Sequence, residues 1–139
     1  MLNNSGPIAV QIVSNNDFFY MLFKTFIQQL MKECVVDKIE QIHTFYTHET
    51  INEFGIPRLI IVDANIAGIS PVDLINELRT EMKYKMPVWF VTEISARQYL
   101  TKIMDVGANR IIFKPFDPER IAKEIVLLLK SPKSYEIFS

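Results

Sequence analysis

Asp63, Thr92 and Lys114 each stand directly after a short, mostly apolar run of residues. A carboxylate can act as a nucleophile toward a phosphoryl group. A hydroxyl can donate a hydrogen bond to a phosphoryl oxygen, and a lysine supplies a compact positive charge. If folding brings these three side chains together, they form a small group suited to handling anions. The alternative is that Asp63 only stabilises a turn, as aspartate often does through local hydrogen bonds.

The run that ends at Asp63 is the most informative stretch of the chain. Leu59–Val62 is apolar without alternation and rich in β-branched residues, which is typical of a strand buried on both faces of a parallel sheet. An unpaired carboxylate is costly to bury, so Asp63 should lie at the carboxyl end of this strand. The carboxyl ends of parallel strands share one edge of the sheet, where open α/β sheets bind their ligands. We therefore expect Thr92 and Lys114 to lie at the same edge.

The rest of the chain alternates between strand and helix patterns, with polar or glycine-containing junctions between them. Five strands and five helices in this order predict an α/β fold: a doubly wound, five-stranded parallel sheet of the flavodoxin-like type. The predicted elements are a strand over Ile8–Val13, a helix that starts at Asn16 or Asp17, a short strand in the region from Val35 to Phe45, a weak helix over His48–Phe54, a strand over Leu59–Asp63, a helix from the Ser70 cap to Met82, a strand over Val88–Thr92, a helix over Ser95–Asp105 stopped by Gly107, a strand over Arg110–Phe113, and a helix after Asp117.

Apolar residues at helical spacing identify the faces that should be buried. They are Phe19, Leu22, Phe23, Phe26, Leu30 and Cys34 for the first helix, with Cys34 near its end; Leu74, Ile75, Leu78 and Met82; Ala96, Tyr99, Leu100 and Ile103; and Ile121, Ile125, Leu128 and Leu129.

The composition is that of one ordinary globular domain. The chain has 139 residues, 49% hydrophobic and 22% charged, and we expect a core over 8–130 with a loose tail over 131–139. A net charge of −1 favours neither nucleic acid nor an anionic membrane as a partner. The single cysteine, Cys34, excludes an internal disulfide, and the amino terminus lacks a signal-peptide pattern. These features predict a cytoplasmic protein.

Three segments in this order resemble the receiver domain of bacterial two-component response regulators. They are Leu59-Ile-Ile-Val-Asp-Ala-Asn65, Val88-Trp-Phe-Val-Thr92 and Gly107-Ala-Asn-Arg-Ile-Ile-Phe-Lys-Pro-Phe116. The resemblance implies that Asp63 is the phosphoacceptor, that Thr92 is the switch hydroxyl, and that Lys114 contacts the phosphoryl oxygens. It also implies a cis peptide at Lys114-Pro115, and Mg²⁺ bound with help from Asp63 and the backbone carbonyl of Asn65.

The chain departs from the family pattern in two places. The family usually has two acidic residues after the first strand that hold Mg²⁺, and here these positions are Ser14 and Asn15. We expect weak or absent Mg²⁺ binding and slowed or lost phosphoryl transfer, although an Asn15 carbonyl with bridging waters could still hold the ion weakly. Asp17 is better suited to a helix start than to replacing these ligands. Ile111 stands where the family usually has an aromatic ring that moves on activation, and we expect it to pack in its strand.

The leading hypothesis is a single-domain receiver module in phosphorelay signalling, without enzymatic activity of its own. Its partners would be a histidine kinase or phosphotransfer protein, an unknown output protein, and in one version a second copy of the chain. By resemblance, output would use the surface of the fourth helix, fifth strand and fifth helix. The first alternative is a degenerate receiver-like module that binds without phosphorylation. The second is a small α/β nucleotide-binding protein, which the absence of a G-x-G-x-x-G loop disfavours.

Overall fold

The computed structural model describes residues 9–40 and 57–131. The elements in these ranges are β1 (Ala9–Val13), α1 (Asp17–Leu30), β2 (Val35–Ile39), β3 (Leu59–Asp63), α2 (Pro71–Thr80), β4 (Val88–Thr92), α3 (Arg97–Asp105), β5 (Arg110–Phe113) and α4 (Pro118–Lys130). The five strands form one sheet in the order β2-β1-β3-β4-β5, and all neighbouring strands are parallel. The predicted doubly wound, flavodoxin-like sheet is confirmed.

The central strands explain the apolar runs of the sequence. Every residue of β1, β3 and β4 is buried, because helices cover both faces of the sheet. One core layer packs the sheet against α1 and α4, and its largest members include Phe23 and Leu59. The other packs the opposite face against α2 and α3, with Phe90 and Leu74 among its largest members. The parallel strand order brings the polar ends of these strands to one edge of the sheet.

Side-chain caps set the starts of three helices. Asn16 Oδ1 accepts a hydrogen bond from the Phe19 N–H at 3.1 Å, so Asn16 rather than Asp17 is the N-cap of α1. Ser70 and Asp117 cap α2 and α4 in the same way, as the sequence predicts. Because α1 starts directly after the β1 junction, its cap also fixes the loop that carries Ser14 and Asn15.

The first helix is shorter than predicted and has a different buried stripe. It ends at Leu30, which is 43% exposed, so the prediction that Leu30 is buried is wrong. Ile27 lies in the core instead, and Leu22 and Phe26 are half-buried. Cys34 is buried, but in the turn before β2 rather than on the helix, because Met31 leaves the helical conformation.

The bounds of other helices and strands also differ from those predicted. Ala96 is exposed, since α3 begins at Arg97 and Ala96 serves as its N-cap, whereas Ile103 is buried as predicted. The second strand occupies Val35–Ile39, the first half of the region predicted for it. Four helices lie in the described ranges rather than five, because the helix predicted over His48–Phe54 falls outside them. The predicted tail over 131–139 also falls outside, except for its first residue.

A single arginine joins several chain segments at the edge of the sheet opposite Asp63. Arg79 donates hydrogen bonds to the carbonyl oxygens of Tyr84, Met86 and Gly107 at 2.7 to 3.2 Å, and to Asn109 Oδ1 at 2.8 Å. Gly107 has a φ of +127°, and a Cβ there would lie 2.7 Å from Arg79 Cγ. Gly107 therefore does more than end α3, because its missing side chain gives the arginine room. Within the described ranges, none of the helices is both long and apolar enough to cross a membrane.

Candidate functional site

Asp63 and Lys114 meet at the carboxyl edge of the sheet. Asp63 is the last residue of β3 and is 1% exposed, while Lys114 follows β5, two strands away in the sheet. The Lys114 ammonium nitrogen donates to Asp63 Oδ1 at 3.2 Å, and the lysine side chain is 18% exposed. This ion pair explains how a carboxylate can be so deeply buried, since an unpaired charge would be costly there.

Two further donors hold the Asp63 carboxylate. The Ser14 hydroxyl donates to Oδ2 at 2.8 Å, and the backbone N–H of Asn65 donates to Oδ1 at 3.2 Å. Ser14 is itself fully buried, and its oxygen accepts from the N–H of Asn16 at 3.0 Å. The hydroxyl proton is therefore directed at the carboxylate. Each carboxylate oxygen has at least one donor, and the group is fixed in orientation by three different loops.

Asn15 lies beside this group but has other partners. Its Oδ1 accepts from the N–H of Ala67 at 2.7 Å, and its Nδ2 donates to the carbonyl oxygen of Glu40 at 2.9 Å. The side chain thus bridges the β3–α2 loop and the end of β2. Its carbonyl oxygen, the group that could have served as a weak metal ligand, is already used in a short hydrogen bond.

Thr92 reaches the same edge and is fully buried. Its hydroxyl oxygen accepts from the N–H of Ile94 at 2.9 Å, in the loop that leads to α3. Its backbone carbonyl accepts from the N–H of Lys114 at 2.9 Å, which ties the ends of β4 and β5 together. Thr92 is thus placed between Asp63 and Lys114 in the strand order, with its hydroxyl engaged in its own loop.

Aromatic rings form the surroundings of the lysine. The Lys114 nitrogen lies 5.1 Å from the centroid of the Phe19 ring, a cation–π distance. Phe116 stacks on Phe23 at 5.4 Å and meets Phe19 edge-on at 6.3 Å. The peptide bond between Lys114 and Pro115 is cis, as the resemblance implies. Apolar surroundings strengthen the attraction between the ammonium and an anion.

The residues at this edge do not fit a divalent cation. Within 9–40 and 57–131, no group of three or more His, Cys, Asp or Glu side chains could hold a metal. Mg²⁺ prefers carboxylate and water oxygens in octahedral geometry. Asp63 supplies a single carboxylate whose oxygens already accept from Ser14, Lys114 and the Asn65 N–H, and the Asn15 oxygen is engaged by Ala67.

Sequence reasoning placed Ser14 at this edge but did not predict its contact with Asp63. The signal was indirect, because it needed the knowledge that β1 lies next to β3. The ring of Phe19 beside Lys114 was likewise predicted only as core. Ile111 is half-buried and packs against the core on the α2 and α3 side, which confirms the packing predicted for it.

The arrangement defines a class of protein: a doubly wound α/β domain with a buried carboxylate, a lysine and a hydroxyl at the carboxyl edge of its sheet. The family model described as "Response regulator receiver domain" matches residues 10–126. The chain therefore belongs to the response regulator receiver domain family.

Individual relatives agree with this assignment. The chain is 22% identical to the chemotaxis protein CheY1 of Helicobacter pylori over 94 residues, which cover 67% of this chain and 76% of that protein. It is 24% identical to a CheY homolog of Campylobacter jejuni over 90 residues, 64% of this chain and 69% of the homolog.

Solved structures show the same fold at lower identity. A CheY-like receiver domain protein from Methanospirillum hungatei superposes with a TM-score of 0.75 at 15% identity, covering 94% of this chain and 98% of that chain. The chemotaxis response regulator CheY4 of Vibrio cholerae gives a TM-score of 0.71 at 19% identity, covering 87% and 98%. The fold and the family are thus established from independent comparisons.

Proposed function

We propose that this receiver domain works in phosphorelay signalling by accepting a phosphoryl group on Asp63. The observation that carries the proposal is the contact between the Lys114 ammonium and the buried Asp63 carboxylate at 3.2 Å. A nucleophilic carboxylate with a cation beside it is suited to form an acyl phosphate, because the cation offsets charge on the incoming phosphoryl oxygens. A histidine kinase or a phosphotransfer protein in the cytoplasm would supply that group.

Each neighbour of Asp63 has a role in this proposal. Lys114 binds the phosphoryl oxygens, and the N–H of Asn65 holds one carboxylate oxygen. Thr92 is the switch hydroxyl: on phosphorylation it leaves the Ile94 N–H and donates to a phosphoryl oxygen. Mg²⁺ binding is weak or absent, because Asp63, Asn65 and Asn15 do not form a suitable ligand set. The domain signals through a partner rather than by catalysis.

Intact-mass spectrometry after incubation with acetyl phosphate tests the acceptor. We expect one added phosphoryl mass on the wild-type chain and none on Asp63→Asn. The matched control is Asp105→Asn, which changes an exposed carboxylate at the end of α3 and should leave the added mass unchanged. Equal labelling of the wild-type chain and Asp63→Asn would show that the acceptor lies elsewhere.

The output surface that we propose comprises α3, β5 and α4, and its partner is another protein. Ile94, Met104 and Phe113 are 44 to 47% exposed on or beside these elements. A hollow of about 370 Å³ along α3 is lined by Leu100 and Met104, among others. The exposed apolar side chains and the hollow on α3 support this choice of contact surface.

Backbone NMR tests the output surface. We expect amide shifts of Ile94, Met104 and Phe113 to change on phosphorylation more than those of Phe18 and Met21, which are 71% and 50% exposed on α1. Larger changes on α1 would place the output there.

A second candidate is a module that binds its partner without phosphorylation. The observation in its favour is that Asp63 is already satisfied by Ser14, Lys114 and a backbone N–H. In that case acetyl phosphate would leave no adduct under any condition, and Asp63→Asn would bind the same partner as the wild-type chain.

A further inference from the structure

We propose that the Asp63 site accepts its phosphoryl group without a divalent cation, because the Ser14–Asn15 pair removes the need for one. This inference rests on the proposed acceptor role of Asp63. It reverses the sequence-based expectation that neutral residues at positions 14 and 15 slow the transfer.

The charge of the site is balanced without a metal. Asp63 and Lys114 carry opposite charges at 3.2 Å, so their charges cancel. Two carboxylates at positions 14 and 15 together with one divalent cation would add no net charge either. The neutral pair without a cation therefore has the same net charge as an acidic pair with one. A divalent cation added to the present site would instead lack carboxylates to neutralise it.

Hydrogen-bond donors of the protein contact the Asp63 carboxylate where a bound cation would otherwise contact it. The Ser14 hydroxyl donates to Asp63 Oδ2 at 2.8 Å, whereas Lys114 contacts the other carboxylate oxygen, Oδ1. Ser14 is fully buried and held by the N–H of Asn16, so this donor needs no reorganisation during the reaction. Ser14 thus acts as a positioning residue for the nucleophile.

Asn15 links the two loops beside this carboxylate. Its hydrogen bonds to the Ala67 N–H and the Glu40 carbonyl oxygen hold two loops together. A cation that used the Asn15 oxygen would have to share it with the Ala67 N–H, which donates to it at 2.7 Å. The hydrogen bonds of Asn15 therefore favour the metal-free arrangement of this part of the site.

The transfer step balances with these groups alone. One Asp63 oxygen forms a bond to phosphorus, and the bond from phosphorus to the donor atom breaks. The electron pair of that bond leaves with the donor, which is acetate when acetyl phosphate is the reagent. The phosphoryl group brings roughly two negative charges, of which Lys114 neutralises one. The Asp63 oxygen that does not bond to phosphorus becomes the acyl carbonyl oxygen and keeps its own donor, which is Ser14 for Oδ2 or the Asn65 N–H for Oδ1.

The test compares metal binding and phosphorylation in the wild-type chain and in the double variant Ser14→Asp/Asn15→Asp. The metal probe is Mn²⁺, whose free-ion EPR signal falls on binding. The wild-type chain should leave this signal unchanged at millimolar Mn²⁺, whereas the double variant should bind. Acetyl phosphate should label the wild-type chain at rates within about twofold in Mg²⁺ and in EDTA, whereas EDTA should slow the double variant by about tenfold or more.

Each outcome has a distinct meaning. Mn²⁺ binding by the wild-type chain, or labelling of Asp63 only in Mg²⁺, would overturn the inference and leave the acceptor role of Asp63 intact. Labelling of neither Asp63 nor any other residue in either buffer would overturn the acceptor role and the inference with it. If the double variant does not fold, Ser14→Ala replaces it. Loss of the positioning donor should then slow labelling in EDTA by about tenfold, and an unchanged rate would refute the role of Ser14.

Discussion

Replacement of Lys114 by methionine removes the counter-ion of Asp63 but keeps an unbranched side chain of similar length. The two charges lie 3.2 Å apart, which corresponds to roughly 5 kcal/mol at an effective dielectric constant of about 20. Hydration of the partly exposed ammonium in the wild-type chain offsets part of this energy, and the remaining donors Ser14 and Asn65 offset more. We therefore expect Lys114→Met to lower the free energy of unfolding by about 2–3 kcal/mol.

A double-mutant cycle with Asp63→Asn separates the ion pair from general packing. Asp63→Asn removes the buried charge itself and leaves the partly exposed Lys114 without its counter-ion. We expect a cost of about 1 kcal/mol for this variant. The double variant should cost less than the sum of the single ones, with a coupling of about 1–2 kcal/mol.

Urea unfolding provides the assay. Trp89 is the single tryptophan of the chain and is buried in the core, so its fluorescence reports global unfolding. A cost below about 0.5 kcal/mol for Lys114→Met, or a coupling near zero, would refute the view that Lys114 carries the charge balance of the site.

Three other predictions concern parts of the fold away from this ion pair. Gly107→Ala should lower the free energy of unfolding by about 2 kcal/mol or more in urea titrations, because its Cβ would clash with Arg79 at a strained φ; an unchanged midpoint would contradict this packing. Asn16→Ala should cost about 1 kcal/mol through loss of the cap on the Phe19 N–H, and the same cost for Asn16→Gly would argue against a capping role. Burial raises the pKa of the Cys34 thiol from 9.0 to about 11. The folded state therefore keeps a proton that the unfolded chain releases, and stability should fall as the pH rises between these values. Cys34→Ala should flatten this part of the pH profile, and an equal slope in both proteins would refute the assignment.

Burial on both sides made the centre of the fold predictable from sequence. The runs before Asp63 and Thr92 are apolar throughout because helices cover both faces of β3 and β4, and their ends fall at the predicted residues. The edge strand β2 was harder to place, since Asp37 and Lys38 interrupt its apolar pattern. The Lys38 ammonium forms ion pairs with Asp17 and Glu40. Its hydrogen bond to Asp17, followed by the one to Glu40, raises the pKa of Lys38.

The candidate site was predictable as a set of residue types but not as a set of contacts. The approach of Lys114 to Asp63 follows from the shared edge of parallel strands. The Ser14 hydrogen bond joins residues 49 positions apart, and it depends on the side-chain rotamer and on β1 lying next to β3. The use of the Asn15 oxygen by Ala67 depends on a loop conformation that no periodic pattern encodes. The sequence therefore indicated which charges were missing, but not what replaced them.

The Arg79 hydrogen bonds should make the edge of the sheet far from Asp63 resist local unfolding more than the edge that carries Asp63. At the edge far from Asp63, one guanidinium links the end of α2 to the segments that precede β4 and β5. Opening any one of these segments breaks hydrogen bonds to the others, so they form a single cooperative unit of local unfolding. The base of the sheet should therefore open as one unit rather than segment by segment. Amide hydrogen exchange should accordingly show one common opening free energy for Tyr84, Val88 and Ala108.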